Sequence, residues 1–270
     1  MTGRTRTRIV AIAGGERAER DDDLASEEPL EIRINGVAIA VVMRTPGDDE
    51  DLAMGFLLTE RIVSAATDVV SIRHCTTVTE PEAEENVVLV VLAPDVDPPL
   101  EKLRRNLYAS SSCGVCGKQT IAAALAHGGV VESTLRVSTE ALVAMPPALR
   151  SAQAMFEATG GIHGAALFRP TGALALSRED VGRHNAVDKV VGAAARAGLS
   201  GSEHVLLVSG RVGFEIVQKA AAFGVPVVAG ISAPSSLAVR FGAALGVTVV
   251  GFLRGESMNV YAHPHRIVAG

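Results

Sequence analysis

The stretch HVLLVSGRVGFEIVQKAAAFGVPVVAGISAPSSLAVRFGAALGVTVVGFL, residues 204–253, decides the fold class of this chain. In it, short apolar runs rich in β-branched residues alternate with longer segments of helical character. The pattern predicts strands over 204–208, 225–230 and 247–253, with helices over 214–223 and 235–244. A strand–helix–strand order of this kind is typical of a parallel sheet with helices on both faces. We therefore predict a mostly parallel α/β sheet in the C-terminal part of the chain.

The sequence before this stretch predicts a longer α/β domain. Strands are expected over 164–168 and 174–177, and a helix over 185–197. Further upstream, helices are expected over 119–127 and 139–158, the second kinked at Pro146-Pro147 and ended by Gly160-Gly161. We assign residues 110–270 to this domain.

A smaller α+β region is predicted over residues 29–109. A hairpin over 30–43 turns at Asn35-Gly36, a helix follows over 48–58, and strands follow over 69–77 and 87–93. A short helix over 100–108 then leads into the larger domain. Residues 1–28 hold alternating Thr and Arg followed by an acidic run, so we predict a solvated, disordered tail.

Composition excludes several classes of function. The 270 residues are 48% hydrophobic, with no Trp, two Tyr and a formal net charge of -5, so neither a stacking platform nor a basic patch for nucleic acid is expected. The N-terminus does not resemble a signal peptide, and the most apolar run, 219–231, is too short for a membrane span. We predict a cytoplasmic protein that binds neither nucleic acid nor membrane.

The most reactive feature of the sequence is a C-x-x-C motif, Cys113 and Cys116, in a loop rich in serine and glycine. Three interpretations are open. The first is a zinc site, which needs two more ligands, but no second C-x-x-C or H-x-x-x-H is present. The second is a dithiol redox site, which normally follows a strand, whereas this motif follows a predicted helix. In the third interpretation, Lys118 and the start of the following helix favour a nucleophilic thiolate. The third cysteine, Cys75, is predicted to be buried and inert.

Polar turns follow the predicted strands of the C-terminal sheet, over 178–185, 209–213 and 232–236. Because ligands of open α/β sheets bind at the carboxyl ends of the strands, Ser209, Gly210 and Arg211 are candidates for holding a phosphate. His163 lies in a glycine-rich turn and is either a site residue or structural. Serines in these turns are equally typical of helix caps, and Asp188 and Lys189 of an exposed helical pair.

Four segments together resemble the formate dehydrogenase accessory sulfurtransferase family, FdhD. They are Ser112–Lys118 (SCGVCGK), Gly161–Ala166 (GIHGAA), Glu179–Lys189 (EDVGRHNAVDK) and Ser209-Gly210-Arg211 with the helix after it. The resemblance extends from the hairpin region to the C-terminus. It implies a cytidine-deaminase-like three-layer α/β/α domain, a homodimer, and a persulfide on Cys113, with Cys116 secondary.

The resemblance also implies a substrate and partners. The family carries sulfur from a cysteine desulfurase to the molybdenum cofactor of formate dehydrogenase, bis-molybdopterin guanine dinucleotide, which would be a bound substrate rather than a permanent cofactor. Its contact segment corresponds here to Phe252, Leu253, Arg254, Gly255, Glu256 and Ser257. No resident metal is expected. Two alternatives stay open: a chaperone that holds the cofactor without covalent chemistry, and a zinc-dependent deaminase.

Overall fold

The N-terminal residues form a hairpin that projects into solvent. A computed structural model describes residues 3–76, 85–98 and 129–270 of the chain. Strands β1, Arg4–Ala13, and β2, Glu16–Ala25, pair antiparallel and turn at Gly14-Gly15, whose φ angles are 60° and 88°. The prediction of a disordered tail was therefore wrong. The basic run of this segment lies on β1 and the acidic run on β2, so that Arg6 pairs with Asp23 and Arg8 with Asp21 and their charges compensate.

The N-terminal α+β region follows the predicted order. The hairpin that turns at Asn35-Gly36 consists of β3, Glu28–Ile34, and β4, Val37–Arg44. It is followed by helix α1, Asp49–Thr59, and then by strands β5, Val69–His74, and β6, Val87–Leu92. The strand order is β4-β3-β6-β5, with β6 parallel to β3. Leu30, Ile32 and Val90 face α1, whose Leu52 and Leu57 complete this part of the core.

The C-terminal domain contains a six-stranded sheet of order β13-β12-β11-β10-β8-β9. Its strands are β8, His163–Phe168; β9, Leu174–Asp180; β10, Val205–Val208; β11, Val227–Gly230; β12, Thr248–Arg254; and β13, Ser257–Ala262. Only two of its five neighbouring strand pairs, β10–β11 and β11–β12, are parallel. The prediction of a mostly parallel sheet was wrong. Short turns join β8 to β9 and β12 to β13 and permit only antiparallel pairing, and the reversed β8 is also antiparallel to its other neighbour, β10.

Helices cover both faces of this sheet. They are α2, Thr139–Ala152; α3, Ala154–Thr159; α4, Arg183–Arg196; α5, Phe214–Ala222; and α6, Ser236–Leu245. Leu142, Met145 and Leu149 of α2 pack on one face, whereas α4, α5 and α6 pack on the other. The result is the expected three-layer α/β/α arrangement; the cytidine-deaminase-like assignment stays a prediction.

Smaller elements complete the description. A two-residue parallel bridge joins β7, Val137–Ser138, to β14, Ile267–Val268. Short 3₁₀ turns lie at Ala66–Asp68, Gly201–Glu203 and Pro264–Arg266. The helix predicted over 139–158 is the pair α2 and α3, which separate at Gln153 rather than at the two prolines. The helices predicted over 100–108 and 119–127, and the domain boundary near 110, lie outside the described residues.

Two glycines allow α1 and α4 to cross in close contact. A Cβ atom at Gly192 would overlap the backbone carbonyl of Asp51, and a Cβ at Gly55 would overlap that of Asp188. No side chain can be accommodated at either position without moving a helix backbone. The α+β region and the C-terminal domain therefore share one continuous apolar core, with members such as Leu57 and Val187 on the two sides.

Asp188 and Lys189 do not form the exposed pair considered from the sequence. Both are buried, with 2% and 1% of their surface exposed, and each has its own partner. Asp188 accepts hydrogen bonds from Lys219 Nζ at 2.9 Å and from Thr59 of α1. Burial disfavours the charged form of Lys219, but the Asp188 and Glu60 carboxylates outweigh it and raise the pKa of the amine.

Lys189 has a different partner from Asp188. Because consecutive helical residues point in directions about 100° apart, Lys189 reaches Asp180, at 2.8 Å.

Candidate functional site

The strand register brings the predicted polar turns to one edge of the six-stranded sheet. Val208 at the end of β10 pairs with Gly230 at the end of β11 and with Ala165 near the start of the antiparallel β8. His163, the first residue of β8, pairs with Asp180, the last of β9. We call this the site edge; it is formed by the ends of β9 to β12 and the start of β8. The juxtaposition predicted from the sequence is thus found.

Backbone hydrogen bonds join the turns at the site edge into one surface. The turn after β10 pairs with the turn after β11 through Val212 N and Ala233 O at 3.2 Å. The turn after β11 then accepts a bond at Ser232 O from Phe252 N, at 3.1 Å. Ser209–Arg211 and Phe252–Ser257 are therefore parts of one continuous structure, although about 40 residues separate them in sequence.

His163 lies directly against the glycine turn that follows β10. A Cβ at Gly210 would lie 3.3 Å from His163 Nδ1, a tight contact that would make the imidazole move away slightly. Ser209 fixes the same turn, because its hydroxyl accepts from Gly164 N at 3.0 Å while its own N donates to Gly164 O. His163 is a candidate cofactor-binding residue from the sequence, and the structure places it against the turn that contains Ser209 and Gly210.

The surroundings of His163 favour its neutral form. Partial burial lowers the pKa of the imidazole, and the positive charge of Arg183 together with the neighbouring His184 lowers it further, while Asp180 acts in the opposite direction. A neutral imidazole both donates and accepts a hydrogen bond. His163 can therefore bind a polar ligand near neutral pH without adding charge to the site.

The pair of His184 and Glu215 was missed by sequence reasoning. His184 Nε2 lies 2.8 Å from Glu215 Oε2, across the first turns of α4 and α5. Burial opposes ionisation of Glu215, but contact with His184 outweighs it and lowers the pKa of the carboxyl group. The two residues are 31 positions apart, and only the packing of α4 beside α5 brings them together.

The two helix starts at this edge leave backbone amides for a ligand. Gly182 and Gly213 occupy the N-cap positions of α4 and α5, and neither has a side chain that could cap the helix. Helix α6 differs, since the Ser235 hydroxyl accepts from Ala238 N at 3.1 Å. Uncapped N–H groups beside arginine side chains are a chemical environment suited to phosphate.

The segment 252–257 divides into anchored and exposed parts. Leu253 is fully buried in the core beneath α2, so its side chain cannot contact a ligand at the surface. Phe252 has a φ of 53°, which is uncommon for a bulky residue and typical of strained backbone at binding sites. The Arg254 guanidinium lies 5.2 Å from the Phe252 ring centre, and the side chains of Arg254, Glu256 and Ser257 are exposed, as is Gly255.

Cys113 and Cys116 lie outside the described residues. Cys75 is buried, as predicted. Within residues 3–76, 85–98 and 129–270, no group of three or more His, Cys, Asp or Glu is arranged to hold a metal ion. No helix in that part of the chain is long and apolar enough to cross a membrane.

Comparisons with known proteins agree on one family. The model of the FdhD/NarQ family matches residues 25–268. A sulfur carrier protein FdhD from Streptomyces avermitilis is 50% identical over 267 residues, covering 97% of this chain and 95% of its own. Another from Mycolicibacterium paratuberculosis is 49% identical, covering 97% and 98%.

A solved structure has the same overall arrangement. The crystal structure of a candidate formate dehydrogenase accessory protein from Desulfotalea psychrophila superposes with a TM-score of 0.78 at 26% identity. The match covers 98% of this chain and 99% of that one. Similarity therefore extends over nearly the full length, whereas most of the β1–β2 hairpin lies before the region that the family model matches.

Proposed function

The chain belongs to the FdhD/NarQ family, and from this premise we propose that it is a sulfur carrier required for formate dehydrogenase activity. The observation that carries the proposal is identity of about half over nearly the whole chain with proteins named sulfur carrier protein FdhD. In the finer form of the proposal, the sulfur comes from a cysteine desulfurase and goes to bis-molybdopterin guanine dinucleotide before that cofactor enters formate dehydrogenase.

The proposed sulfur transfer uses Cys113 as the carrier. Its thiolate attacks the outer sulfur of the desulfurase persulfide; a new S–S bond forms at Cys113, the donor S–S bond breaks, and the donor cysteine leaves as a thiolate. The reaction exchanges one S–S bond for another, so no oxidant or reductant is needed. Delivery of the outer sulfur as sulfide takes two electrons, which Cys116 supplies: its thiolate attacks Cys113 Sγ, the Cys113–Cys116 disulfide forms, and the outer sulfur leaves as sulfide for the cofactor. This resolving step is the secondary role of Cys116.

The site edge supports the cofactor half of the proposal. Uncapped amides at the starts of α4 and α5, with Arg183 and Arg211 nearby, suit the phosphates of a guanine dinucleotide. The neutral imidazole of His163 adds a donor and an acceptor beside the Gly210 backbone. The exposed segment 254–257 extends the same surface. We further propose that the protein acts in the cytoplasm as a homodimer, without a permanently bound cofactor.

Loss of Arg211 tests the cofactor half. We expect Arg211→Ala to weaken binding of GDP, a probe for the guanine nucleotide ends of the cofactor, by about tenfold, because one charge-assisted hydrogen bond is lost. Isothermal titration of the full chain measures the change. Arg240→Ala is the matched control, since Arg240 is also exposed but lies in the middle of α6. Equal GDP affinity in both variants and the wild type would contradict this placement of the cofactor.

A further inference from the structure

Asp180 is a buried carboxylate at the site edge whose four polar contacts come from two parts of the protein. It has no exposed surface. Its Oδ1 accepts from Gly182 N at 2.8 Å and from Asn185 Nδ2 at 3.0 Å, both in the turn that starts α4. Its Oδ2 accepts from Thr45 N at 3.1 Å and lies 2.8 Å from Lys189 Nζ. Thr45 belongs to the N-terminal α+β region, in the loop between β4 and α1.

Residues 43–45 hold the same turn through further contacts. The Thr45 hydroxyl accepts from Val181 N at 3.1 Å, and its carbonyl accepts from Lys189 Nζ at 2.8 Å. The Met43 carbonyl accepts from Asn185 Nδ2 at 2.7 Å. Three residues of the turn 180–185, namely Asp180, Val181 and Asn185, are therefore hydrogen-bonded to the N-terminal region.

This turn carries side chains that the site uses. Arg183 and His184 follow Gly182 directly, and both act electrostatically on His163. A Cβ at Gly182 would lie 2.9 Å from Asn185 Nδ2 and 3.3 Å from Asp180 Oδ1, so a side chain there would push the Asn185 amide away from its partners. A shift of the turn would move the first amides of α4 together with both side chains.

We propose that Asp180 is a positioning residue, which locks the turn 180–185 onto Thr45 and so makes the ligand site at the sheet edge depend on docking of the N-terminal α+β region. The inference rests on the proposed function in taking this edge as the cofactor site. It adds that the C-terminal domain alone does not hold the site in its binding geometry.

Asp188 provides a matched control for a merely structural role. It is also buried and paired with a lysine, and it also contacts the N-terminal region, through Thr59. It lies near the middle of α4, away from the turn. Asp180→Asn removes the carboxylate paired with the buried Lys189, and Asp188→Asn leaves the buried Lys219 with Glu60 alone, so both are expected to lower the melting temperature.

Two readouts separate positioning from stability. The first readout is the pKa of His163, measured by NMR, which we expect to fall in Asp180→Asn because a nearby negative charge is lost. The second is GDP affinity, which we expect to fall about tenfold in the same variant. In Asp188→Asn, we expect both to stay at the wild-type values. Charged neighbours of His163 include Arg183 and His184, which move with the turn.

The outcomes distinguish this inference from the proposed function. Wild-type His163 titration and GDP affinity in Asp180→Asn, or equal changes in both variants, would overturn the positioning role. If the wild type binds no GDP, the cofactor placement fails. Thr45→Val tests the turn independently of GDP and of the folding of Asp180→Asn, because it removes the hydroxyl that accepts from Val181 N without changing any charge. An altered His163 NMR shift in this variant supports the inference, and an unaltered one contradicts it.

Discussion

Replacing Cys113 with alanine is expected to reduce formate dehydrogenase maturation by more than about a hundredfold, because removing the nucleophile of a covalent transfer leaves no atom to carry the sulfur. The measurement is formate dehydrogenase activity in cells that lack their own copy of this protein and express the variant. Protein levels of both the variant and the formate dehydrogenase must be matched to the wild type.

The second cysteine of the motif provides the comparison for this variant. Cys116→Ala is expected to retain more activity than Cys113→Ala, because Cys116 has the secondary role in the proposed transfer. Full maturation by Cys113→Ala would exclude the covalent mechanism. It would favour the alternative in which the protein holds the cofactor without bonding to sulfur, and GDP binding that survives loss of both cysteines would support that alternative further.

Gly192→Ala is expected to lower the free energy of unfolding by about 3 kcal/mol or more, because the added methyl group overlaps the Asp51 carbonyl of α1. Ordinary core overpacking costs about 1–3 kcal/mol. Here the colliding atom is backbone, which cannot move aside by a change of rotamer. Denaturant unfolding of the full chain, followed by circular dichroism, measures the loss.

The control for this substitution is Gly161→Ala. Gly161 has no atom closer than 3.9 Å to the position of an added Cβ, and its φ is not in the left-handed region. Its unfolding free energy is expected to stay within about 0.5 kcal/mol of the wild type, as is usual for surface substitutions. Unchanged stability in Gly192→Ala would mean that α1 and α4 do not cross as closely as described.

The sequence was sufficient to predict most helices and strands because their signals are local. Each of these signals spans only a few consecutive residues, as in the Asn35-Gly36 hairpin, the acidic start of α1 and the apolar runs of β10, β11 and β12. The grouping of Ser209–Arg211 with the neighbouring turns also follows from the sequence, because ligands of such sheets bind where the strands end.

Features that depend on distant partners could not be predicted in this way. The N-terminal hairpin is stabilised by charges that compensate only when β1 meets β2, and a charge-rich segment taken alone indicates disorder. The burial of Lys189 depends on Asp180 and on Thr45, 144 residues away. The pairing of His184 with Glu215 likewise requires the packing of two helices.

The most direct test of the sulfur-carrier account is mass spectrometry of Cys113. The full chain is incubated with a cysteine desulfurase and cysteine, its free thiols are blocked, and the peptides are analysed. The account predicts a mass increase of one sulfur atom on Cys113 that is absent in Cys113→Ala. An unmodified Cys113, under conditions in which the desulfurase itself carries a persulfide, would contradict it.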